Sequence, residues 1–351
     1  MRVAVTRLGG NITNKNKGLV GNKETLSIAK VLSEVDEVDV LTCFECDGCI
    51  SVDENFDINQ YDAVLVVNDS VNMFGGLEIK SMTIIFKLLH KFDKQIYYAL
   101  TDLSLPFVDY YKLVCGKPWC TYTEDDFKLK KPIIVLSQAY NLDIAKKIHK
   151  NVEVADYIYV PFEEWLVNLN PTIIDQTDRP IDLIYGGSFR SGRREKKFVD
   201  YFFDRPSLTT VIYGNMKLSQ FKDSDSFEVT PEFLGKVSND EVIGMNSKSI
   251  ATILMGDKNY NNNIVTLRYY EALLSGTICF IDESFDTNHM LMPMCDYFYV
   301  KNGDELEDKI FDIKYDTNAK RYSLLLEYQN NKIRETLNNR LSIKIHTAMF
   351  S

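Results

Sequence analysis

The sequence lacks any apolar run near the roughly 20 residues that a membrane-spanning helix needs. Its start offers only Val3 to Val5 before the polar pair Thr6 and Arg7. Neither membrane insertion nor secretion is therefore expected, and a cytoplasmic location is. Basic charge is also short: 40 Lys and Arg stand against 50 Asp and Glu, a formal charge of −10. That excludes a protein that coats nucleic acid by bulk electrostatics and confines any such contact to a local face. Seven cysteines, an odd number, fit reduced thiols better than a disulfide framework. Three of them, Cys43, Cys46 and Cys49, have the spacing of an iron–sulfur or zinc loop without a nearby fourth ligand. The competing reading of that run is an oxidisable surface loop.

What is present is a folded composition, 45% hydrophobic, 26% charged and 12% aromatic over 351 residues, more than one core usually absorbs. Apolar strands are expected at 2–6, 38–42, 63–67, 95–100, 133–136 and 157–160. Helical patterns over 24–35, 80–90 and 142–149 fall between them. A polar stretch from Asn168 to Pro180 reads as a linker. A second series follows, with strands at 183–185, 210–213, 250–255, 277–281 and 297–300 and helices near 195–203, 267–274 and 303–313. Alternating β and α elements predict α/β domains with mostly parallel, doubly wound sheets. The expected division is 1–168, completed by a C-terminal helix over about 335–351, and 169–334. From Asn318 onward the chain is helical in pattern and ends too apolar for a free tail, so it either braces the first domain or packs where it ends.

The strongest local signal is Tyr185-Gly186-Gly187-Ser188-Phe189-Arg190-Ser191-Gly192-Arg193-Arg194-Glu195. A strand enters two glycines and a helix starts directly after, which is anion-binding geometry. Arg190 and Arg194 share a face if the helix begins early enough; otherwise this is a solvated basic helix start. Arg268 and Glu271, three apart, are either a nucleotide-reading cation and carboxylate or a helix-surface ion pair. Asp102 follows an apolar strand, where a lone carboxylate serves as general base or as a turn cap. Glu24 is a helix cap or a ligand contact. Phe74, beside Gly75 and Gly76, is a core anchor or a wedge that enters a base stack.

Together these residues resemble the DNA β-glucosyltransferases of T-even phages. The resemblance is carried by Val66-Val67-Asn68, Phe74-Gly75-Gly76, Thr101-Asp102-Leu103 with Leu105-Pro106-Phe107, Asn141 to Lys146, Tyr185 to Gly192, Gly256 to Asn261, and Asp282-Glu283 with Phe285-Asp286-Thr287. It implies a GT-B type fold, two Rossmann-like domains facing a cleft, with a C-terminal helix returning to the first. It also implies inverting transfer of a sugar, glucose favoured, from a UDP-sugar to 5-hydroxymethylcytosine in double-stranded DNA. Such modification protects phage DNA from host nucleases.

Carried over position by position, Asp102 is the catalytic base. Gly187, Ser188, Arg190, Arg194, Gly214, Arg268 and Tyr260 belong to donor binding, the arginines to its diphosphate. Glu271 takes the ribose, Val237 the uracil through its backbone, and Glu24, Glu163 and Asp257 lie near the sugar or a Mg²⁺ or Mn²⁺ ion, with Glu163 the metal candidate. Asn72 and Phe74 enter DNA as the target base is flipped. Lys117 stands where the family has an arginine, which loses bidentate phosphate contact. The alternatives are UDP-arabinose as donor, or a UDP-sugar transferase with a small-molecule acceptor. A monomer is expected.

Overall fold

The computed structural model describes residues 1–7, 12–17, 20–67, 76–99, 129–131, 133–138, 142–148, 153–157, 178–189, 192–238, 240–256, 265–316, 320–338 and 341–350. The chain forms two compact units, Met1–Glu163 with Asn339–Ser351, and Glu164–Asn338.

The first unit is built on seven parallel strands: β1 (Arg2–Arg7), β2 (Glu37–Thr42), β3 (Ile50–Ser51), β4 (Ala63–Val67), β5 (Gln95–Ala99), β6 (Ile134–Gln138) and β7 (Glu153–Tyr157). Their order is β3-β2-β1-β4-β5-β6-β7. Every residue of β4, Ala-Val-Leu-Val-Val, is buried, as a parallel strand covered on both faces requires. Helices α1 (Val20–Leu32), α2 (Gly76–Lys91) and α3 (Leu142–Ile148) belong to this unit. So does the last helix, α9 (Leu341–Phe350), which decides between the two readings of the C-terminal segment. His346 Nδ1 lies 2.7 Å from the buried Asp36 carboxylate, and the Phe350 ring meets Tyr97 edge-on at 6.0 Å.

The second unit holds β8 (Ile181–Ser188), β9 (Thr210–Asn215), β10 (Glu232–Gly235), β11 (Ser249–Leu254), β12 (Ile278–Asp282) and β13 (Tyr299–Val300), all parallel, in the order β10-β9-β8-β11-β12-β13. Its helices are α4 (Arg193–Phe202), α5 (Val242–Asn246), α6 (Leu267–Ser275), α7 (Gly303–Lys314) and α8 (Lys320–Asn338). Tyr185, Phe198 and Phe202 are among its largest fully buried side chains. Lys197 Nζ donates to Asp282 Oδ1 at 2.6 Å and the Tyr201 hydroxyl to Asp282 Oδ2 at 2.7 Å, fastening α4 to the end of β12.

Three expectations are corrected. The strand placed at 157–160 is β7 over Glu153–Tyr157, and residues 158–160 are outside the described set. α1 begins at Val20, so Glu24 is a buried residue inside the helix and not its cap. α4 begins at Arg193, directly after Gly192, and not at the earlier start that sharing a face with position 190 required; Arg190 itself is outside the described residues.

Candidate functional site

Ligands of doubly wound sheets bind at the carboxyl ends of the strands, where the strand order reverses. In the second unit that point lies between β8 and β11. Here β8 and β9 run Gly186 opposite Tyr213, Gly187 opposite Gly214 and Ser188 opposite Asn215. The glycines let the backbones close in. A Cβ on Gly186 would lie 2.2 Å from Tyr213 Cζ, and one on Gly214, whose φ is +116°, 2.0 Å from the Gly187 carbonyl oxygen. No side chain fits between these strand ends, so main-chain groups are what a ligand meets there. Ser188, at the end of β8, is exposed.

Two arginines converge on this point. Arg194, in the first turn of α4, is buried and its Nη2 donates to the Tyr185 hydroxyl. Its Cζ lies 5.7 Å from the Tyr185 ring centre and 5.8 Å from that of Phe198. Arg268, near the start of α6, is half-buried, with its Cζ 5.0 Å from the same Tyr185 ring. A Cβ on Gly187 would come within 3.1 Å of its Nη2. One turn along α6, burial pushes the Glu271 carboxyl up to about 7, with Arg268 acting in the opposite direction. Arg268 and Glu271 are both half-buried. Glu271 also raises the Tyr213 hydroxyl, already displaced by burial; that hydroxyl donates to Asn246 Oδ1 at 3.1 Å. Half-buried Val237, just past β10, packs against the buried cluster of Ile181, Ile184, Val211, Tyr213 and Val242. Together these side chains offer two cations and one carboxyl of adjustable charge beside side-chain-free strand ends, which suits an anionic ligand bearing hydroxyl groups.

In the first unit the reversal lies between β1 and β4. Arg7 ends β1 as a buried residue and its Nη1 donates to Asn22 Oδ1. Asn22 in turn donates through Nδ2 to the Asn16 carbonyl at 2.9 Å. Glu24, two residues further along α1, is also buried. A polar cluster thus lies at a strand end of an otherwise apolar sheet.

Residues 1–166 of the chain match the family model described as bacteriophage T4 β-glucosyltransferase. The DNA β-glucosyltransferase of enterobacteria phage T4 is 38% identical over 333 residues, 93% of each chain. The chain belongs to the bacteriophage T4 β-glucosyltransferase family. A mutant of the phage T4 enzyme in complex with UDP-glucose superposes with a TM-score of 0.82 at 33% identity, covering all of both chains. The same enzyme with UDP and Mn²⁺ gives 0.82 at 34%, again covering both completely. The GT-B type fold is therefore established, with the C-terminal helix returning to the first unit.

Measured against the family reading, Gly187, Ser188, Arg194, Gly214, Val237, Arg268 and Glu271 all lie in the second unit, around the ends of β8 and β9, the start of α4, the end of β10 and the start of α6. Glu24 lies in the first unit. Asp102, Asn72, Phe74, Lys117, Glu163, Arg190, Asp257 and Tyr260 lie outside the described residues. Sequence reasoning missed Tyr185, Tyr213 and Asn246 as site-shaping residues, and Arg7 with Asn22. The available signal was a charged residue closing an apolar strand at Arg7, and aromatic residues directly before the glycines at 185 and 213.

No group of three or more His, Cys, Asp or Glu that could hold a metal ion occurs among the described residues. Burial pushes Cys43 and Cys49 up to about 12, which opposes the thiolate that a metal needs. Among the described residues no helix is long and apolar enough to cross a membrane.

Proposed function

We propose that the protein is an inverting glucosyltransferase that moves glucose from UDP-glucose to the hydroxymethyl group of 5-hydroxymethylcytosine in double-stranded DNA. The observation that carries this reading is 38% identity to the phage T4 DNA β-glucosyltransferase over 93% of both chains. The convergence of Arg194 and Arg268 on the pinched ends of β8 and β9 supports it. The second unit is the donor unit and the first the DNA unit.

In the reaction, the Asp102 carboxylate takes the hydroxyl proton while the acceptor oxygen attacks the anomeric carbon. The bond from that carbon to the diphosphate oxygen breaks with inversion, and UDP leaves with the bonding electrons. Arg190, Arg194 and Arg268 offset the charge that develops on the leaving diphosphate. Glu271 accepts from the ribose hydroxyls, and the Val237 backbone reads the uracil. Glu24 and Asp257 lie toward the sugar, with Gly187, Ser188, Gly214 and Tyr260 shaping the donor pocket. Asn72, Phe74 and Lys117 face DNA. Glu163 and Asp257, which lie outside the described residues, would hold a Mg²⁺ or Mn²⁺ ion, and that ion would add positive charge against the leaving diphosphate. The enzyme acts as a monomer in the infected cell's cytoplasm, and the modified DNA resists host nucleases.

The test is incubation of hydroxymethylated and plain duplex DNA with a panel of radiolabelled UDP-sugars. Label on the hydroxymethylated duplex from UDP-glucose is expected, with a hexose increment in the product mass. A pentose increment would instead select UDP-arabinose, and label reaching neither duplex would point to a small-molecule acceptor.

A further inference from the structure

We infer that Tyr185 is a positioning residue for donor binding, a single buried platform that holds two of the diphosphate-binding arginines in place before the ligand arrives. This rests on the reading of Arg194 and Arg268 as diphosphate ligands.

The two guanidinium groups come from different helices, α4 and α6, and meet at one aromatic ring, 5.7 and 5.0 Å from its centre. Two like charges brought this close repel each other, and burial at Arg194 strips part of its hydration as well. In the absence of a ligand anion, something must offset both effects or the side chains would swing apart. The Tyr185 π-face attracts each cation, and its hydroxyl accepts a charge-assisted hydrogen bond from Arg194 Nη2.

Tyr185 is itself immobile. It has no solvent exposure, and its ring meets Phe198 edge-on at 4.8 Å and Phe202 at 6.2 Å. It lies within β8, directly before the glycines that admit the ligand. The Arg268 guanidinium lies close to this ring and to the bare Cα of Gly187, which itself adjoins the ring. A diphosphate entering at Gly187 thus finds its cations already gathered, and less conformational freedom is lost on binding.

The roles divide cleanly by atom: the hydroxyl acts through Arg194 alone, the ring through both arginines. Tyr185→Phe keeps the ring and the packing and removes only the hydroxyl. UDP affinity, measured by calorimetry well below each variant's unfolding temperature, is expected to fall about five- to tenfold in Tyr185→Phe. In an Arg194→Met background the same change is expected to have no further effect, because the group it acts through is gone. In an Arg268→Met background it is expected to cost the same five- to tenfold.

Wild-type UDP affinity in Tyr185→Phe, or an equal loss with and without Arg194, would overturn the platform and leave Tyr185 a core residue. If Arg194→Met and Arg268→Met both bind UDP as the wild type does, the diphosphate reading falls first and the platform with it.

Discussion

At the scale of single residues, two carboxyl groups carry distinct expectations. Asp102→Ala should lower turnover by about a hundredfold or more, with UDP affinity near wild type, because a general base acts on the acceptor and not on the nucleotide. Unchanged turnover in a steady-state assay would remove it from the mechanism. Glu271 is held up to about 7 by burial against a usual 4.5, so it changes charge near neutral pH. Only its ionised form accepts from both ribose hydroxyls, so UDP-glucose affinity should rise with pH through about 7, and Glu271→Gln should flatten the profile. The intact sugar nucleotide is the right probe, since its diphosphate has no proton to lose in that range, unlike a terminal phosphate. The stability linkage has the opposite sign. A carboxyl that is harder to ionise when folded makes the native state lose stability as pH rises from about 4.5 to 7, with no further change above.

At the scale of elements, the pinch between β8 and β9 is the feature on which the donor site depends. Gly214→Ala places a methyl group 2.0 Å from the Gly187 carbonyl at φ +116°. It should cost about 2 to 4 kcal/mol through strain and overpacking. Gly192→Ala, at φ +88° with open space around its Cβ, should cost only about 1 kcal/mol of backbone strain. Chemical denaturation of both variants checks the order, and equal midpoints would mean that the strand ends part freely. Most strands were legible because a parallel strand covered on both faces must be a continuous apolar run, as Ala63–Val67 is. β10 was not, because Glu232 and Leu234 of this edge strand face solvent and its pattern is that of a polar loop. The two-residue β3 is too short to show any period. The same limit applies to the site: Arg194 stood out as a charge after glycines and Arg268 as a charge three residues from Glu271, whereas Tyr185 is an aromatic residue in an apolar strand, and only the fold shows what packs on its ring.

At the scale of the whole molecule, a formal charge of −10 forbids strong non-specific attraction, so under the proposed function DNA is held by local contacts and by filling the space a flipped base leaves. Phe74→Ala should therefore lose activity on hydroxymethylcytosine in a paired duplex, and less when the same base sits opposite a mismatch, where less unstacking has to be offset. Transfer rates on both substrates at one fixed salt concentration check this; equal losses on the two, or none, would make Phe74 a core residue. The discontinuity of the first unit bears on how the chain is made. Its opening 163 residues leave the ribosome first, yet α9, which brings His346 to the buried Asp36, is synthesised only after the whole of the second unit. At about 5–20 residues per second, that interval is on the order of 10 to 40 s. During it the second unit, being continuous, can fold to completion, while the first waits with the α9 docking surface bare. The order in which the two units can complete their folding is thus the reverse of the order in which they begin in the sequence.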